Sequence, residues 1–177
     1  MTVIAYRSGI MACDSCWTYG DTQIGSALKI RRLSSGALLG EAGDNDGRAI
    51  VQLLDKVKDP RKLPSRDAIA ATHVDFCGLL ALPRGGVYVI SSAKIDLAGW
   101  LEHDDDEVGI WLGTTIGGYA AVGSGADCAL AAMDAGADAR KAVEIACRRN
   151  IYCRPPVHTR RLVQTASDKK TRLLTAR

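Results

Sequence analysis

The chain has 177 residues, 47% hydrophobic and 24% charged, which fits one globular domain with a sizeable core. Its net charge of +3, from 23 basic and 20 acidic side chains, is too mild to point to nucleic acid or an anionic membrane as partner. No apolar run approaches the roughly 18 to 20 residues of a membrane span, and Met1 to Ile10 carries Arg7 instead of the apolar centre of a secretory signal. The expected compartment is therefore the cytoplasm, where the scattered cysteines Cys13, Cys16, Cys77, Cys128, Cys147 and Cys153 stay reduced.

In chain order, Thr2 to Arg7 alternates and is rich in β-formers, Ser8-Gly9 signals a turn, and Ile10 to Asp14 is a second apolar strand. The pattern predicts a hairpin that sets Thr2 opposite Asp14. Leu28 to Leu33 and Ala37 to Ala42, joined by Ser34-Ser35-Gly36, predict a second hairpin. Helix-capping chemistry in Gly43-Asp44-Asn45-Asp46 and apolar residues at helical spacing predict a helix from about Asp46 to Val57. Lys58 to Arg66, with Pro60 and Pro64, reads as a surface loop.

Leu79 to Leu82 and Val87 to Ile90 flank Pro83-Arg84-Gly85-Gly86 as a third hairpin, and Ser91 to Gly118 fits no pattern. Tyr119 to Val122 is a short strand, followed by Gly123-Ser124-Gly125, an alanine-rich helix over Ala126 to Ala135 closed by Gly136, and a second helix over Asp138 to Asn150. Val157 to Gln164 predicts a last strand, and a basic tail begins at about residue 167. Strands and helices in segregated runs indicate an α+β fold over residues 1–177 as one domain.

Thr2 has chemical interest of its own. A threonine hydroxyl needs an adjacent base to act as a nucleophile. Once Met1 is removed, the α-amino group of Thr2, with a reference pKa of about 7.7–8.0, supplies that base from the same residue.

The motifs that follow come in an ordered set: Asp14-Ser15-Cys16-Trp17-Thr18-Tyr19-Gly20, then Lys29 before Ile30-Arg31-Arg32-Leu33, then Gly40-Glu41-Ala42-Gly43, then Gly123-Ser124-Gly125. This set resembles the proteasome β-subunits and their bacterial relative HslV, threonine peptidases of the N-terminal nucleophile hydrolase group. The resemblance spans nearly the whole chain. It implies a four-layer αββα sandwich, with two antiparallel sheets between helix layers.

The resemblance also implies roles. Thr2 would be the nucleophile, Lys29 would assist proton transfer, and Asp14 would hold that lysine charged and oriented. Gly43 N–H would form the oxyanion hole, and Ser124 would orient the terminal amine. Thr18 and Gly20 would pair with substrate backbone, and Glu41 would lie at the back of the pocket for the residue preceding the cut. A carboxylate there needs a partner. Either a basic substrate side chain supplies it, giving the expected cleavage after Lys or Arg, or Arg31 on the same strand face satisfies Glu41 from within and the preference becomes apolar or small. The resemblance further implies a homo-oligomeric ring of twelve or more chains. Its substrate would be a peptide or unfolded protein, and an ATP-dependent unfoldase would open it.

Three features depart from the family pattern. The first hairpin is short, Asn150-Ile151-Tyr152-Cys153 stands where the family carries Asp-x-x-Ser, and the segment 91–118 is long. The alternatives are a non-catalytic ring scaffold, to which Asn150 lends some weight, and a small-molecule amide hydrolase of the same group. No cofactor or metal is expected. Cys13-x-x-Cys16 lacks a second pair, His73, His103 and His158 lack ligand spacing, the acidic run His103 to Glu107 reads as solvated loop, and Gly113, Gly117 and Gly118 form no phosphate loop.

Overall fold

The computed structural model describes residues 2–19, 22–43, 47–74, 76–84, 86–91, 109–111 and 118–163, with backbone alone for 109–111. The first hairpin is formed by β1 (Ile4–Arg7) and β2 (Ile10–Cys13). Ser8 and Gly9 between them take φ of 51° and 81°, the two left-handed positions of a tight turn whose twist matches the flanking strands. Strand β10 (Tyr119–Val122) joins the outer side of β1, and β11 (His158–Arg161) that of β2, giving an antiparallel sheet in the order β10-β1-β2-β11.

A second antiparallel sheet has the order β5-β6-β7-β8-β9. It comprises β5 (Ile30–Arg32), β6 (Leu38–Gly43), β7 (Phe76–Leu82), β8 (Gly86–Ser91) and β9 (Gly109–Trp111). Between the two sheets in sequence lies a separate ribbon, β3 (Cys16–Tyr19) with β4 (Thr22–Ser26). The helices are α1 (Arg48–Leu54), α2 (Arg66–Ala70), α3 (Ala126–Asp134) and α4 (Ala139–Arg149).

Period-two alternation distributes the apolar side chains among three clusters. Ile4, Met11 and Val122 of the first sheet meet Ile30, Leu38, Leu79 and Val87 of the second. The other face of the second sheet, with Leu39, Phe76, Leu80 and Ile90, packs on Ile50 and Leu54 of α1 and Ile69 of α2. The other face of the first sheet offers Val3, Ala5 and Ala12 to Ala129, Met133, Ala142, Val143 and Ala146 of α3 and α4. Strands buried on both faces carry apolar residues at consecutive positions, as in Leu38-Leu39.

Several expectations are corrected. The first-hairpin register pairs Ile4 with Cys13, so Val3, whose carbonyl accepts from Asp14 N–H at 3.2 Å, stands opposite Asp14, and Thr2 is one position beyond. The β3–β4 ribbon was not expected; its exposed, mixed polar sequence lacks the apolar alternation of a buried strand. The expected loop Lys58 to Arg66 contains a 3-10 turn at Pro60–Lys62 and leads into α2, capped by Ser65 through Ala68 N–H. Helix α1 is shorter than expected, and its entry, Gly47, makes no side-chain cap. Strands β5 and β11 are likewise shorter than Leu28 to Leu33 and Val157 to Gln164. Ser91 ends β8, and β9 falls within the segment that fitted no pattern. Asp44, Asn45, Asp46, the rest of 92–117, the acidic run with His103, Gly113, Gly117 and the basic tail lie outside the described residues.

Candidate functional site

Asp14 follows directly on β2 and is fully buried. Its carboxylate collects donors from four parts of the chain. On Oδ1 it accepts from Thr2 Oγ1 at 2.7 Å, from Val3 N–H at 3.0 Å and from Lys29 Nζ at 2.8 Å. On Oδ2 it accepts from Cys16 N–H at 2.9 Å and Arg154 N–H at 3.2 Å. Burying a carboxylate is costly unless it is paired and hydrogen-bonded, and these donors meet that condition. The Lys29 side chain is 10% exposed, so the ion pair is largely shielded from solvent.

Thr2 itself is buried and is held on its other side by the turn before α3. Thr2 N–H donates to Ser124 Oγ at 3.2 Å, and Thr2 O accepts from Ser124 Oγ and from Gly125 N–H, each at 3.2 Å. Gly123 has φ of 93°, and a Cβ there would lie 2.4 Å from Thr2 O. Only glycine lets the turn approach the Thr2 backbone this closely. Asn150, at the end of α4, donates from Nδ2 to Ser124 O, which ties the end of that helix to the same turn.

Gly43 ends β6 with φ of 128° and is exposed. Arg31 and Glu41 meet through Nε to Oε1 and through Nη2 to Oε2 at 3.1 Å. The Glu41 carboxyl is raised above its ordinary range by burial, an effect that Arg31 opposes by charge and hydrogen bonding. Thr18 is half-buried on β3, beside a bulge between Trp17 and Thr18, and Gly20 lies outside the described residues. Burial pushes the Cys13 and Cys147 thiols up to about 11 and the Cys153 thiol to about 12. The six cysteines are free thiols, and among the described residues no His, Cys, Asp and Glu side chains are grouped as a metal set.

The structure thus brings together Thr2, Asp14, Lys29 and Ser124, expected from sequence, and pairs Arg31 with Glu41. The Arg154 and Cys16 backbone donors on Asp14 were not anticipated. A main-chain amide carries no residue-specific signal, so no sequence feature marks them.

By sequence, no family model and no curated protein matches the chain. By structure, it is similar to the Thiobacillus denitrificans protein BPH solved in complex with epoxomicin, at 18% identity and a TM-score of 0.57, covering 92% of this chain and 98% of that one. It is also similar to a second structure of Thiobacillus denitrificans BPH, at 18% identity and a TM-score of 0.57 over 93% and 99%. Eukaryotic HslV from Trypanosoma brucei matches at 18% identity and a TM-score of 0.59, over 90% and 97%. The antiparallel sheets with their few helices are therefore similar in fold to HslV over about nine-tenths of the chain.

Proposed function

We propose that the chain is a threonine endopeptidase of the proteasome β-subunit and HslV group, in which Thr2 is the nucleophile after removal of Met1. The observation that carries this reading is the position of Thr2. Its hydroxyl is on Asp14, its main-chain nitrogen is on Ser124, and Lys29 shares the same carboxylate oxygen. The three apolar clusters support a four-layer αββα arrangement of a single domain.

In the proposed mechanism Thr2 Oγ1 attacks the carbonyl carbon of a peptide bond. The freed Thr2 amine takes the hydroxyl proton, directly or through a water, and Gly43 N–H donates to the oxyanion. The C–N bond then breaks, the amine returns the proton to the leaving nitrogen, and an ester on Thr2 remains. Water hydrolyses the ester with the same amine as base. Lys29 keeps positive charge beside the reacting hydroxyl, which favours its deprotonation.

Thr18 and Gly20 are proposed to pair with substrate backbone, by strand addition to β3. The Arg31–Glu41 pair supports the second option for the side-chain pocket. Because Glu41 is satisfied from within, a basic substrate residue gains little, and the preference is for apolar or small residues.

A peptide epoxyketone tests this reading, because its cyclic adduct forms when a hydroxyl adds to the ketone and an amine on the same residue opens the epoxide. Intact-mass measurement is expected to show loss of Met1 and one inhibitor per chain on Thr2. Thr2→Ala is expected to abolish both the adduct and peptide cleavage. Full activity in protein that retains Met1 would overturn the mechanism.

A further inference from the structure

Lys29 and Glu41 are main-chain partners just beyond the end of the β5–β6 ladder. Glu41 N–H donates to Lys29 O at 2.9 Å, one step beyond the Ile30–Gly40 pair. Side chains directly opposite in an antiparallel pair leave the same face with Cβ atoms roughly 5 Å apart. A lysine and a glutamate so placed are natural ion-pair partners. Yet the Lys29 ammonium is on Asp14, 2.8 Å away, and the Glu41 carboxylate is taken by Arg31, one pleat further along β5.

Among the described residues, the surroundings of Glu41 offer it few other partners. Its neighbour across β7 is Gly78, which has no side chain. Gly47 closes the other side, so near that a Cβ there would lie 3.1 Å from Glu41 Oε2, with the Phe76 ring at 3.3 Å. The carboxylate is 20% exposed, too sheltered for water alone to solvate it cheaply.

We propose that Arg31 is a positioning residue for Lys29: by holding Glu41, it prevents the carboxylate across the ladder from drawing the Lys29 ammonium away from Asp14 and Thr2. This inference rests on the proposed role of Lys29 and adds to it a guard two residues further along the chain. Without Arg31, Lys29 is shared between two carboxylates, and an unneutralised negative charge stands near the Thr2 amine. A nearby anion favours the protonated amine, which is not a base. Among the described residues, the other charged or titratable groups around this point are Asp14, Lys29, Cys13, Cys16, Cys147 and Cys153, with Cys77 opposite Ala42 on β7. The Cys13, Cys147 and Cys153 thiols, at about 11 to 12, stay neutral through the working range.

The test uses the full chain and the variants Arg31→Gln, Arg31→Lys, Glu41→Gln and the double variant Arg31→Gln/Glu41→Gln. In Arg31→Gln the acidic limb of the kcat/KM profile is expected to move up by about 0.5 to 1 pH unit, a threefold to tenfold loss below the limb. Arg31→Lys and the double variant return the limb to its original position. In parallel, the lysine Cε resonances are followed by NMR at one pH, with Lys29 assigned by Lys29→Arg. The Lys29 resonance is expected to move in Arg31→Gln and to return in the double variant, whether or not the chain cleaves peptides. A protein that shows this resonance pattern but cleaves nothing overturns the proposed function and keeps the inference. A Lys29 resonance and pH limb untouched by Arg31→Gln, or unrestored in the double variant, overturn the inference.

Discussion

The Thr2 hydroxyl is one of several donors gathered on Asp14, and this makes Asp14 the residue on which both the fold and the site depend. Asp14→Asn keeps the shape but strands the Lys29 ammonium in a site where its side chain is 10% exposed. Breaking a buried ion pair from one side typically costs about 3–5 kcal/mol. Urea denaturation of Asp14→Asn is expected to show a loss of that order, together with loss of peptide cleavage. Glu41 gives a pH dependence of opposite character to an ordinary salt-bridged acid. Burial raises its carboxyl from the reference 4.5, with Arg31 opposing. An acid raised in the folded state binds more protons folded than unfolded, so its contribution to stability is full below about pH 4.5 and is lost as pH rises through the raised value. Thermal melts of Glu41→Gln against wild type across pH 4 to 7 are expected to show the variant gaining on wild type as pH rises. A gap that is constant with pH would show that Glu41 is not strained by its burial.

Among the elements, the turn between β10 and α3 is the one whose backbone the site cannot spare. Gly123 is left-handed and lies against the Thr2 carbonyl. Gly123→Ala must push Ser124 and Thr2 apart, so activity is expected to fall more than tenfold while the melting temperature falls by only a few degrees, since the strain is local. Steady-state kinetics beside calorimetry on the same sample would check this. Wild-type kcat in a normally folded Gly123→Ala would remove the turn from the site. The β3–β4 ribbon is different in kind. It belongs to neither large sheet and exposes Trp17, Tyr19 and Ile24. It is tied to the body at its base, where Ala27 N–H donates to Ser15 O, Ser15 N–H to Arg154 O, and Ser15 Oγ to Pro156 O.

At the scale of the whole molecule, the coverage shared with HslV and BPH runs over nearly the full length of each chain. The proposed function, with the motif resemblance that implies a homo-oligomer, leads us to propose a ring of identical chains whose sites face an enclosed space. Sedimentation at micromolar concentration is expected to give an assembly of twelve or more chains. A monomer would refute the ring and leave the active-site chemistry to be judged by the epoxyketone adduct alone.

The sequence by itself determined the elements whose residues carry strong local signals. Ser8-Gly9 has the left-handed residues of a tight hairpin turn, Asp138 caps α4 through Lys141 N–H, and β10 and α3 begin where the glycines and alanines place them. The motif order, through the resemblance it carries, also named Thr2, Asp14, Lys29 and Ser124 as one set, and the hydrogen bonds join them. Tertiary structure decided the rest. The register set Val3, not Thr2, opposite Asp14, since hairpin pairing is counted from the turn and the count was one residue off. Main-chain donors from Cys16 and Arg154 complete the carboxylate, and no side chain announces a backbone amide. Whether Arg31 reaches Glu41 was open in the sequence, because strand spacing allows it without requiring it; in the folded chain Arg31 holds the carboxylate, beside Gly47 and across from Gly78.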